Sequence, residues 1–179
     1  MADLDFIKDK ELRTRLENSI EYIYALYEQS KSVDQKPLYK EETYRVIILY
    51  VISAIEAVVL YFYKERGEKI EYSEYKFIES LPKNYSHDEK KGSPVVVAVQ
   101  EKVEKKEHQI GLHDLITFFR GKNLIQEKTA NDILELNDVR NTFHFSKPRI
   151  KDCDLGRVES ALKLLVRTIE KAPLALKIK

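Results

Sequence analysis

Apolar positions Leu12, Leu16, Ile20, Ile23 and Tyr27 recur every three or four residues, as on one face of an amphipathic helix, and predict a first helix over residues 4–29. The polar run SKSVDQKP ends it. Glu41 and Glu42, favourable near a helix N-terminus, precede a second helix over residues 41–66, which Gly67 closes. Its centre, VIILYVISAIEAVVLYFY, is apolar on nearly every face and is therefore expected to be wrapped by other helices. The pattern then changes. IEYSEYKFIESL is rich in Tyr, Phe and Ile, while PVVVAVQEKVEKK alternates, with Val95, Val97, Val99 and Val103 on one side and Val96, Ala98, Gln100, Lys102 and Glu104 on the other. The polar KNYSHDEKKGS between them carries turn residues, so the pair reads as two antiparallel strands or a partly mobile hairpin. Helical spacing returns over residues 111–121 and 126–141, the latter with Ile133, Leu136, Val139 and Phe143 as its buried side. Asp152 or Asp154 caps a last helix whose stripe Leu155, Val158, Leu162, Leu165 and Ile169, either core or a dimer seam, ends before Pro173.

These elements predict a mainly α chain: one domain over residues 1–179, an up-and-down bundle of about five helices with a β-hairpin inserted at about 69–107. Length agrees, since 179 residues suit one ordinary core. Charged residues at 34%, with only 5 Gly and 5 Pro, exclude a repetitive or disordered chain. A net charge of +1 exerts no global pull on nucleic acid, which leaves only local basic patches for that role. The lone Cys153 has no internal partner, so a reducing cytoplasm is expected. MADLDFIKDK is charged from the start and lacks the apolar run of a signal peptide. Residues 46–63 are long enough to span a bilayer, but Glu56 lies among them and no second such segment accompanies them, so a core helix and no membrane partner are expected.

The stretch NDVRNTFHFSK carries the candidate chemistry. In a helix, Arg140 and His144 lie one turn apart on one face, with Asn137 a turn before Arg140. Pro148 disfavours helical geometry at Lys147, so the helix must stop near Ser146 and leave His144 at its exposed end. Imidazole titrates near neutrality and guanidinium matches phosphate oxygens, a pair suited to phosphodiester chemistry. The same residue types also serve simply as partners of free carbonyls at a helix C-terminus. Glu56, a carboxylate in an apolar helix, must find a cation, become neutral or reach solvent. Two arrangements answer that need: Glu56 faces and orients Arg140, or it marks a polar edge and pairs at the surface. His87, His108 and His113 lack metal-ligand spacing, and there is no HExxH, CxxC, phosphate-binding glycine loop or nucleophile elbow. No metal or cofactor is expected.

From Leu112 onward the chain resembles the C-terminal half of HEPN (higher eukaryotes and prokaryotes nucleotide-binding) domains. The resemblance lies in LHDLITFFRGKNLI leading into a helix that ends LNDVRNTFHF, followed by a final amphipathic helix. It implies a HEPN-like helical fold and, in catalytically active members, a metal-independent endoribonuclease site shared across a homodimer, of toxin or defence type. Arg140, Asn141 and His144 match the family's arginine, the polar residue beside it and its histidine. The family usually leaves more residues between arginine and histidine than the Asn141, Thr142 and Phe143 found here, and the hairpin is a second departure. On this reading RNA is the substrate, with Lys147, Arg149 and Lys151 along its backbone, and a cognate antitoxin or other partner protein is a further expected contact. The alternative is a non-catalytic HEPN-like module that dimerises or binds a partner or RNA, with the same motif bracing its last helices.

Overall fold

A computed structural model describes residues 3–32, 36–80, 96–143 and 153–177, with side chains to residue 171 in the last segment. The described chain is mainly helical, with one two-stranded antiparallel sheet. The helices are α1 (Lys10–Ser30), α2 (Pro37–Arg66), α3 (Leu112–Gly121), α4 (Glu127–Asn141) and α5 (Leu155–Lys177). The strands are β1 (Glu71–Ser80) and β2 (Val96–Glu104), followed by a short 3-10 turn at Glu107–Gln109. The chain divides into two compact units, a helical one of residues 1–68 and 111–179 and a hairpin unit of residues 69–110.

In the helical unit α2 packs against α1, α3, α4 and α5. Ile47, Ile48, Val51, Ile52, Ile55 and Val58 are all fully buried, so the expected central helix is the core of the unit. Within the apolar centre of this helix Leu49, Tyr50 and Ser53 are the exceptions and face solvent, with Tyr22 of α1 edge-on to Tyr50 at 5.0 Å. By length and composition α2 could cross a membrane, but 61% of its most apolar window is buried within the protein, and a core helix meets the same test. Gly67 closes it in the left-handed region at φ 64°, where a Cβ would be strained. Just beyond, Glu68 accepts from Lys122 at 2.6 Å and Arg66 at 2.7 Å, and these two cations hold its carboxyl below the usual range.

Several boundaries differ from those expected. The first helix begins at residue 10, not 4, because the Asp9 carboxylate caps it by accepting the Leu12 N–H at 3.0 Å. Leu4 and Ile7 are nevertheless core residues, held in a pre-helical turn in which Tyr61 Oη accepts the Lys8 N–H at 3.1 Å. The second helix starts earlier, at Pro37, whose fixed φ suits a first helical position; Glu41 and Glu42 therefore sit one turn in. Asp154 caps α5, accepting the Arg157 N–H at 2.7 Å, while Asp152 lies outside the described residues. Its buried stripe is Val158, Ala161, Leu164, Leu165 and Ile169; Leu155 is 39% exposed and Leu162 only half-buried. The helix also runs through Pro173 to Lys177, although an interior proline forfeits one backbone hydrogen bond. Phe143 is half-buried, beside the expected Ile133, Leu136 and Val139.

In the hairpin unit β1 and β2 pair from Glu71 opposite Glu104 to Ser80 opposite Val96, with a bulge between Phe77 and Glu79. Val97, Val99 and Val103 share one face and Val96, Ala98, Gln100 and Lys102 the other, as their alternation implies. Val95 and the connecting KNYSHDEKKGS lie outside the described residues.

Candidate functional site

The C-terminal turn of α4 is where candidate residues meet. Ala130, Ile133, Leu136 and Val139 bury one side of this helix and so fix its rotation on α2. Its end is closed by local bonds: the Phe143 N–H donates to the Arg140 carbonyl at 3.1 Å, and Thr142 Oγ1 donates to the Val139 carbonyl at 2.7 Å. Because these local groups satisfy both carbonyls, the Arg140 side chain is not needed as their partner.

It goes instead to α2. Arg140 Nη1 donates to Glu56 Oε2 at 2.9 Å, joining residues 84 apart in sequence. The two side chains are 25% and 30% exposed, so the pair lies at the edge of the core and is reached by water. Of the two arrangements open to Glu56, the one facing Arg140 is observed. The rest of the Arg140 guanidinium makes no other hydrogen bond or ion pair to a described residue. Asn141, the last helical residue, is exposed beside it. Asn137, a turn earlier, is buried, and its Oδ1 has no hydrogen-bond partner. The structure therefore pairs Glu56 with Arg140 at an accessible place, leaves the next residue Asn141 exposed and buries Asn137. His144, Lys147, Arg149 and Lys151 lie outside the described residues.

Arg45 was not singled out by the sequence pattern, yet it lies against the same helix end. It is only 5% exposed; Nη2 is bound to Glu41, and Nε lies 3.8 Å from Glu42. Its guanidinium carbon sits 5.4 Å from the Phe143 ring centroid, a cation–π contact one residue before His144 in the chain. Burial opposes its charge, but the Glu41 hydrogen bond and nearby carboxylates outweigh that and raise its pKa. Nε and Nη1 still lack hydrogen bonds. Burial also pushes the Cys153 thiol up, with Arg45 partly offsetting it, so this cysteine is a protonated packing group rather than a nucleophile. A usable signal for Arg45 was present in sequence: carboxylates three and four residues before an arginine that opens an apolar run.

A groove of about 580 Å³ runs between α4 and α5 but includes neither Arg140 nor Glu56. Its rim mixes Lys128, Arg157, Lys163 and Arg167 with Asp132, Glu135 and Asp154, so it offers no single-signed surface for a phosphate chain. His108 and His113 are exposed, and His87 lies outside the described residues. No family model, curated protein or solved structure matches the chain. The chemistry of the α4 end is what remains to speak for function.

Proposed function

We propose that the chain is a HEPN-like, metal-independent endoribonuclease of toxin or defence type, acting in the cytoplasm as a homodimer. The observation that carries this reading is the 2.9 Å contact between Glu56 and Arg140. A carboxylate from the rigid central helix fixes the aim of a partly exposed guanidinium beside exposed Asn141, four residues before His144. A positioned cation of this kind is what a phosphoryl group gaining charge requires. His144 takes the proton of a ribose 2′-hydroxyl, whose oxygen attacks phosphorus. The 5′-oxygen leaves with a proton supplied by a second general acid, for which the partner subunit's copy of the same histidine is suited. The product is a 2′,3′-cyclic phosphate and a 5′-hydroxyl end, with Arg140 bound to the phosphoryl oxygens throughout and no step that requires a metal. Lys147, Arg149 and Lys151 neutralise the flanking backbone, and a cognate antitoxin or other partner protein masks the site when it is not needed.

One feature of the same contact favours a second reading. Glu56 occupies a donor of Arg140 inside the protein, as it would in a non-catalytic module whose motif braces its helices. Incubation of the purified protein with unstructured RNA in EDTA, beside a folded His144→Ala variant, separates the two. Cleavage giving cyclic-phosphate ends, lost in the variant, is the expected result; intact RNA in both reactions sinks the ribonuclease reading.

A further inference from the structure

The hairpin unit keeps carboxylates out of the middle of one face. Register places Ser73, Tyr75 and Phe77 of β1 on the same face as Lys102, Gln100 and Ala98 of β2. Glu74, Glu79 and Glu101 fall on the opposite face, with Lys76, Val97 and Val99. Among the described residues Glu71 and Glu104 are the only acids on the first face, at its far end, where Lys102 and Lys69 pair with them at 4.0 and 2.5 Å. In the middle of that face stand Tyr75, 70% exposed, and Phe77, 59% exposed. Neither ring stacks on another aromatic ring among the described residues. Two open rings two residues apart on a pleated strand are spaced by about 7 Å. The groups across from them are a small Ala98 and a hydrogen-bonding Gln100.

We propose that this face is a stacking platform for single-stranded RNA, a reading that rests on RNA being the substrate of the helical unit. Successive unpaired bases lie on Tyr75 and Phe77, since every base offers a π-face to an aromatic ring and the contact needs no particular sequence. Gln100 and Ser73 meet base edges, and Lys102 meets the phosphate chain. The missing acids explain the choice of occupant: carboxylates in the centre of the face would repel a polyanion, and the pairing register puts them on the other side. The apolar groups of this face, Tyr75, Phe77, Ala98 and Val96, are bordered by Ser73, Gln100 and Lys102, polar partners that unpaired bases and phosphates can use, while Val97 and Val99 lie on the opposite face.

The test uses the full chain, which has no tryptophan, so that a Tyr75→Trp variant carries a single indole reporter at the platform. The probe is a 2′-O-methylated oligouridylate of about 12 nucleotides, long enough for such a site and immune to 2′-hydroxyl attack. Its binding quenches the indole, whereas a duplex of equal length does not. A Tyr75→Ala/Phe77→Ala variant binds the labelled oligonucleotide about tenfold or more weakly by anisotropy. Unquenched indole at concentrations where anisotropy shows saturation overturns the proposal, as does absence of binding. So does emission that changes with protein concentration alone, which would mark the face as a contact between copies. Cleavage of RNA in EDTA without quenching removes the platform and leaves the ribonuclease; quenching without cleavage does the reverse.

Discussion

Ile55→Ala lowers the unfolding free energy of the helical unit by about 3 kcal/mol, a large fraction of the roughly 5–15 kcal/mol typical of a domain. Ile55 has no exposed surface and lies on the one helix that every other helix touches, so the cavity left by the truncation has no neighbour free to fill it. Leu49→Ala, on the same helix at 42% exposure, is the matched control and shifts stability by at most about 0.5 kcal/mol. Urea titrations followed by far-UV circular dichroism read both, with the midpoint moving and the slope unchanged. Equal effects of the two substitutions would mean that α2 is not enclosed by the other helices.

On the proposed ribonuclease reading, Arg140→Ala has its large effect on chemistry instead. Removing one donor aimed at developing charge costs about a hundred- to a thousandfold in rate, and Arg140→Lys recovers little of it, because a point charge cannot replace the fixed fork of donors. Stability falls by only about 1 kcal/mol, because the pair with Glu56 is partly solvated and the carboxylate left behind can hydrate. Single-turnover cleavage and thermal melts of the same samples give the two numbers. A rate loss no larger than the stability loss explains would assign Arg140 to the scaffold.

The need for a partner at Glu56 was legible in sequence because a carboxylate inside an apolar helix has few ways to avoid a desolvation cost, but two arrangements met that need and only the packing of α4 on α2 selects Arg140. The central place of α2 was legible for a similar reason, since a helix apolar on every side has to be covered. Boundaries were less so. Leu4 and Ile7 are buried although they lie out of phase with the Leu12, Leu16 and Ile20 stripe, because the Asp9 cap starts the helix after them and a helical period does not place core residues held in the turn before it. In α5 the small Ala161 is buried while the larger Leu155 is exposed, which a stripe of large apolar residues does not anticipate. The buried Arg45 escaped notice because charge ordinarily argues for exposure, and only its contacts with Glu41 and Phe143 make burial tolerable. The absence of carboxylates from the middle of one hairpin face depends on strand register, which is set by pairing and not by either strand alone.

Catalysis by an aimed Arg140 is tested most directly by exchanging the two charges. In Glu56→Arg/Arg140→Glu the ion pair between α2 and α4 is kept while the guanidinium moves to the wrong helix. The rate of RNA cleavage in EDTA should fall at least about a hundredfold at a melting temperature within a few degrees of the parent. Cleavage by the exchanged protein at the parent's rate, or none by the parent itself, would contradict a catalytic Arg140 and leave the pair as a brace between two helices.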